Sequence, residues 1–216
     1  GSTINTILQN FFQLVKARQI DGEVLPSLHD LLTIYDSSFI DEWYSSKKQR
    51  QEYYDKGKIA LTTWYERTVK SLPKVLKLEQ VFNLKVDEFV INGAIDRIDE
   101  IGTDPTTKKP LLKIVDYKTG KVSEKFKKKD KYQLLIYTLA VRDPNILDGE
   151  VKELEYYFLD QNESRSMVPT EKDAVETLDW IRETVGKIQQ GDFHPTPNKF
   201  LCDFCDYKDI CEFRAL

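Results

Sequence analysis

Two stretches rich in β-branched and apolar residues, "EFVINGAIDRIDEI" (88–101) and "LLKIVDYKT" (111–119), are separated only by the turn-rich "GTDPTTKKP" (102–110). A link that short joins strands as an antiparallel hairpin, because a parallel return needs a crossover of about a dozen residues or more. Both strands carry charge among their apolar positions: Asp96, Arg97 and Asp99 on the first, Asp116 and Lys118 on the second. Side chains alternate across a strand, so Asp116 and Lys118 share a face roughly 7 Å apart. Strict alternation groups Asp96 with Val90, Asn92, Ala94 and Ile98, and hairpin pairing makes Asp96 and Asp116 neighbours across the ladder. A buried charge without a partner is costly, so a metal, a counter-charge or a chemical role is expected here.

The hydrophobic period changes at Pro73. Before it, Ile4, Ile7, Leu8, Phe11, Phe12 and Val15 recur at helical spacing over 4–16, and residues 27–46 and 48–71 repeat the pattern. Gly57 is an interior weak point of the last of these helices, and Pro73 closes the run. After it, "KVLKLEQVFNLKV" (74–86) adds a strand, so residues 74–119 read as a three-stranded antiparallel meander. "KYQLLIYTLAVR" (131–142) is apolar almost all round, as a helix laid on a sheet would be. A fourth strand over 151–160, a fifth over 163–169 and an amphipathic helix stopped by Gly191 complete an α/β (α+β) chain with a mixed sheet. One domain is expected over 1–216: a helical region (3–73), a core (74–190) and an extended, cysteine-containing arm (191–216).

Charged residues at 31% and hydrophobic ones at 40% are ordinary for a folded globular chain. No apolar run approaches the roughly 18 residues of a membrane span, and the start lacks a secretory layout, so a cytoplasmic location without membrane contact is expected. Gly1-Ser2 reads as a scar of tag cleavage, with natural chain expected before Thr3. The net charge of −4 argues against a generically basic nucleic-acid binder. Locally, however, Lys118, Lys121, Lys125, Lys127, Lys128, Lys129 and Lys131 face only Glu124 and Asp130. That block reads either as a phosphate-tracking loop or as a solvated one. The odd count of three cysteines argues against a disulfide framework.

Two carboxylates brought together repel unless a divalent cation lies between them, and hard oxygen donors with positions left to water suit Mg2+ or Mn2+. A lysine beside such a pair has a use: it orients or deprotonates a water and steadies charge building on a phosphate. Glu79, on the strand over 74–86, is either a further carboxylate for this site or an exposed strand glutamate.

With these residues the chain resembles the PD-(D/E)XK nucleases, and in wording the RecB-type branch joined to superfamily 1 DNA helicases. Gly93-Ala94-Ile95-Asp96-Arg97-Ile98-Asp99 is similar to that branch's Gly-x-x-Asp-Arg-x-Asp strand, and Asp116-Tyr117-Lys118 to its Asp-x-Lys. Gln133 and Tyr137 fit its Gln-x-x-x-Tyr helix motif, and Cys202-x-x-Cys205-x5-Cys211 its C-terminal cysteine triplet. The ordered set is far more specific than any one motif, although Asp96-Arg97-x-Asp99 alone also reads as a surface ion-pair cluster. The resemblance implies a divalent-metal-dependent deoxyribonuclease, an exonuclease more than an endonuclease, working with helicase motor domains in DNA end processing, recombination or repair. It implies metal ligands at Asp96, Asp116 and the Tyr117 carbonyl, a water-positioning Lys118, and strand guidance by Gln133 and Tyr137. It also implies a 4Fe-4S cluster on Cys202, Cys205 and Cys211, with a fourth thiolate upstream of Thr3. Zinc or unligated thiols are the other readings of the three cysteines. The chain departs from the branch at Asn5, which stands where a histidine ligand belongs and is a poorer, neutral donor. His29 and His194 read as ordinary histidines. An inactive nuclease-fold module that binds DNA or scaffolds a motor is the alternative function.

Overall fold

The computed structural model describes residues 2–40, 42, 44–120, 122 and 128–215, with 2 and 128–130 described by their helical backbone. It divides into two compact units, Gly1–Thr177 and Leu178–Leu216.

The first unit begins with three helices, α1 (Ser2–Asp21), α2 (Leu28–Ser38) and α3 (Lys47–Thr68). Serines start two of them. Ser27 and Asp30 form a reciprocal capping box at α2, and the Ser46 side chain accepts the Gln49 N–H at α3. α1 runs past the expected 4–16 to Asp21, where Gly22 supplies a left-handed turn at φ +68. The helix expected over 27–46 ends at Ser38, because Phe39 turns extended and carries its ring onto Tyr35, Tyr44 and Tyr54.

Strands β1 (Lys74–Val86), β2 (Phe89–Thr103) and β3 (Pro110–Lys118) form the antiparallel meander, and helix α4 (Lys128–Val141) carries the chain to β4 (Glu150–Phe158), parallel to β3. β5 (Glu163–Met167) pairs antiparallel with β4, giving a five-stranded mixed sheet in the order β1-β2-β3-β4-β5.

Two cores lie on the sheet. In one, Phe11 and Phe12 of α1 meet Trp64 of α3 edge to face and pack with Leu31, Leu61, Val115 and Tyr117. In the other, Leu134, Leu135 and Ala140 of α4 pack on Phe82, Ile98, Ile114 and Leu154. β1 and β2 do not keep strict alternation. Ile95 and Ile98 share the α4-side core although they stand three positions apart, and Leu78 and Phe82 lie in different cores although they stand four positions apart. The switch falls where Glu79 has φ 45, a left-handed conformation uncommon for a residue with a side chain.

In the second unit, helix α5 (Glu171–Gln189), which begins in the first unit, ends at Gly191 with φ 69. The arm expected to be extended contains a short helix α6 (Lys199–Asp203), begun by Asn198, whose side chain accepts the Leu201 N–H at 3.2 Å.

Gly57 is more than a weak point of α3. A Cβ there would overlap the phenol of buried Tyr35, whose hydroxyl donates to the Tyr54 carbonyl at 3.0 Å. Gly57→Ala is therefore expected to lower stability in urea titrations by about 1–3 kcal/mol, against the gain of about 1 kcal/mol that helix propensity alone would give.

Candidate active site

Arg97 pairs with Val115, so the next residues along, Asp96 and Asp116, stand opposite each other. On the other side Leu78 pairs with Arg97 and Gln80 with Ile95, which sets Glu79 opposite Asp96. Three carboxylates thus lie abreast on β1, β2 and β3, at the place where the strands break their alternation. The β2–β3 ladder gives way there: instead of a main-chain bond, the Asp96 Oδ2 accepts the Tyr117 N–H at 2.8 Å. A buried carboxylate and a backbone donor satisfy one another.

Asp116 is held from the other end. Its Oδ2 is ion-paired with Lys118 Nζ at 2.7 Å, off the alignment of a hydrogen bond, and its Oδ1 accepts the Tyr137 hydroxyl at 3.3 Å. Lys118 Nζ donates to Gln133 Oε1 at 2.8 Å, and Gln133 Nε2 donates to the Tyr137 hydroxyl at 2.8 Å. The four side chains close a ring. Gln133 and Tyr137 are one turn apart on α4, so both reach the end of β3 from the same helix face. The Asp116 side chain is 3% exposed and that of Lys118 is 35% exposed, and Gln133 is exposed, so the ring meets solvent at Lys118 and Gln133.

Crowding and burial shape the protonation of the row. Burial, then the nearby charge of Asp116, pushes Asp96 up to about 7. Burial raises Asp116 against the pull of Lys118, and burial and then Asp116 raise Glu79. The other face of the sheet braces the site. The guanidinium of Arg97 lies between the rings of Phe12 and Tyr117, pairs with Asp99 at 3.0 Å and bonds the Tyr117 hydroxyl. Arg97 and Asp99 are buried, so Asp96-Arg97-x-Asp99 is not a surface ion-pair cluster.

The structure therefore gathers Asp96, Asp116, Lys118, Gln133, Tyr137 and, by register, Glu79. Tyr156 joins them unforeseen: its hydroxyl donates to Gln133 Oε1 at 3.3 Å and its ring lies 4.9 Å from Lys118 Nζ. It pairs with Asp116 through the parallel β3–β4 register, which depends on the crossover length and leaves no local mark in the sequence. Asn5 lies on α1 with a buried Oδ1 that has no hydrogen-bond partner. Lys121, Lys125 and Lys127 lie outside the described residues, Lys128 and Lys129 open α4, and Lys131 is half-buried within it. Cys202, Cys205 and Cys211 are free thiols on the second unit.

Residues 1–212 match the profile described as the PD-(D/E)XK nuclease superfamily. The chain belongs to that superfamily. Its curated relatives include the gene 69 protein of Mycobacterium phage L5, 30% identical over 142 residues that cover 62% of this chain and 43% of the phage protein. The chain thus matches less than half the length of that relative. A solved structure titled "Crystal structure of SSO0001" is similar with a TM-score of 0.40 at 16% identity, covering 78% of this chain and 81% of that one.

Members of the superfamily typically use divalent metals. The donor set here fits in kind: Asp96 and Asp116 are buried carboxylates on facing strands and Glu79 is a half-buried one opposite Asp96, with burial raising all three and the charge of Asp116 adding to the rise of Asp96 and Glu79. Among the described residues no three of His, Cys, Asp or Glu are drawn into a metal-holding group, and the counter-charge to Asp116 is Lys118.

Because Asp96 is raised in the folded chain, its protonated form stabilises the fold. That contribution is fully present below the ordinary value of 3.8 and is lost as pH rises to about 7. Asp96→Asn keeps an acceptor for the Tyr117 N–H without the charge. In metal-free thermal melts it is expected to stabilise the chain by about 2 kcal/mol above neutral pH and to converge with the unsubstituted chain in acid.

Proposed function

We propose that the chain is a deoxyribonuclease that hydrolyses phosphodiester bonds with the aid of Mg2+ or Mn2+. The observation that carries this reading is the closed ring of Asp116, Lys118, Gln133 and Tyr137 beside Asp96 and Glu79. Asp96, Asp116 and the main-chain carbonyl of Tyr117 hold the ion in this reading, with Glu79 and Asn5 as further oxygen donors. The bound ion supplies Lewis acidity and a water that deprotonates more readily. The solvent-facing Lys118 ammonium positions the attacking water and offsets negative charge building on the phosphate. Gln133 fixes that ammonium from α4, and the Tyr137 hydroxyl keeps Asp116 aimed. Lys121, Lys125, Lys127, Lys128, Lys129 and Lys131 attract the DNA backbone, a contribution that weakens with salt.

The wording of the motifs supports the finer context: an exonuclease domain of a cytoplasmic helicase-nuclease that acts on DNA ends. In that context Cys202, Cys205 and Cys211 take a 4Fe-4S cluster together with a fourth thiolate. A second reading, an inactive nuclease-fold module that binds DNA beside a motor, draws on Asn5, whose neutral oxygen stands where a histidine is expected. Titration calorimetry with Mn2+ separates the two: saturable binding abolished by Asp96→Ala belongs to the enzyme, and DNA binding indifferent to metal belongs to the module.

With labelled single-stranded DNA and Mn2+, Asp116→Ala and Lys118→Ala are each expected to lower the cleavage rate by about a hundredfold or more. Cleavage that survives both substitutions overturns the reading.

A further inference from the structure

Tyr156 adjoins the ring of Asp116, Lys118, Gln133 and Tyr137, and the nuclease reading gives it no task. Leu154, Tyr156 and Phe158 of β4 alternate toward the α4 side of the sheet, and the parallel register sets Tyr156 opposite Asp116 on β3. Tyr156 is only 4% exposed, so its side chain is closed to substrate. Its ring lies 4.9 Å from Lys118 Nζ, within the roughly 6 Å over which an ammonium is drawn to a π-face. Its hydroxyl donates to Gln133 Oε1 at 3.3 Å, the same oxygen that accepts from Lys118 Nζ at 2.8 Å. Tyr156 therefore bears on Lys118 twice, directly by its face and indirectly through Gln133. The two contacts are unequal. A separation of 3.3 Å is long for an O–H···O bond, usually about 2.7–2.8 Å, whereas the ring stands at an ordinary cation–π distance. Core packing does not account for the choice of an aromatic beside a cation, since Leu154 fills the same face of β4 two residues earlier.

We propose that Tyr156 is a positioning residue whose π-face holds the Lys118 ammonium in place for the reaction. The inference rests on the nuclease reading and extends it to a side chain that does not meet substrate. Lys118 is a flexible stem ending in a point charge, so one hydrogen bond fixes its distance better than its direction. Asp116, which pairs with it at 2.7 Å, is also the residue that reading assigns to the metal ion. Gln133 and the Tyr156 ring hold the ammonium without drawing on that carboxylate. A carboxylate in place of the ring would attract Lys118 too, but it would add a fourth acid to a site already crowded by Glu79, Asp96 and Asp116. The neutral ring attracts the cation and adds no charge. Of the two contacts the ring carries the effect, and the long hydroxyl bond adds little.

The test reads Lys118 first and turnover second. In EDTA, with the lysines labelled with nitrogen-15, the Lys118 ammonium protons are identified by NMR from their absence in Lys118→Arg. They should resonate upfield of those of exposed lysines through the ring current of residue 156, a displacement kept in Tyr156→Phe and lost in Tyr156→Leu. With Mn2+ and labelled single-stranded DNA, Tyr156→Phe should keep kcat within about twofold, and Tyr156→Leu should lower it about tenfold at unchanged KM and Mn2+ affinity. Tyr156→Phe with a pentafluorinated ring keeps the volume without the negative π-face, so it should lose as much as Tyr156→Leu, and it decides the matter if the leucine substitution prevents folding. Unchanged kcat in Tyr156→Leu, an equal loss in Tyr156→Phe, or a loss in Mn2+ affinity instead of kcat overturns the proposal. If the unsubstituted chain does not cleave, the nuclease reading falls and the ammonium resonance alone decides whether the ring holds Lys118. Cleavage with a Lys118 resonance indifferent to residue 156 keeps the nuclease and removes the proposal.

Discussion

Three carboxylates abreast, Asp96 and Asp116 buried and Glu79 half-buried, are the constraint on which the rest of this structure turns. Like charges at that spacing, partly removed from water, oppose folding unless something absorbs them. Here the absorbers are specific. The Tyr117 N–H turns from the ladder to the Asp96 carboxylate, Lys118 sets a positive charge against Asp116, and Tyr137 donates to its other oxygen. What these leave uncompensated appears as protonation, with Asp96 raised to about 7. In the metal-dependent reading proposed above, a site in this condition binds a cation at neutral pH and gives up a proton in doing so.

The surrounding elements follow from holding that row in place. Tyr117 presents its N–H to Asp96 on one side while its ring and hydroxyl are held by Arg97 on the other. Arg97 in turn lies against Phe12, so α1 braces the same two strands. α4 closes the row from the opposite face with Gln133 and Tyr137, and its own attachment is the apolar packing of Leu134 and Leu135 on the sheet. Site contacts and core contacts therefore come from neighbouring residues of the same elements, so packing on both faces of the sheet also holds the site.

Much of this was legible in the sequence wherever a simple period governs. The hairpin and the period of two predicted that Asp96 and Asp116 would face one another, and the helical period put Gln133 and Tyr137 on one face. The helix–strand boundary at Pro73 followed from propensity alone. What escaped was set by tertiary contact. Strict alternation fails at Asp96 because the opposing Glu79 takes a positive φ, which no residue preference announces. Tyr156 arrives through a parallel register fixed by α4, and Gly57 reads as a flaw until Tyr35 is seen beneath it. The helix after Ser27 stops short because Phe39 gains more by joining three other rings than by extending the turn. The cysteine triplet has the spacing of a metal site, yet spacing does not bring three thiols together on its own.

The central claim is that this row grips a divalent cation and is held partly protonated until it does. Calorimetric titration of Mg2+ at pH 7, repeated in buffers of different ionisation enthalpy, counts the protons displaced by the metal. Binding should release a fraction of a proton at that pH, and the release should fall in mildly alkaline buffer and in Asp96→Asn. Binding with no proton release at pH 7, or identical release after that substitution, would contradict the account.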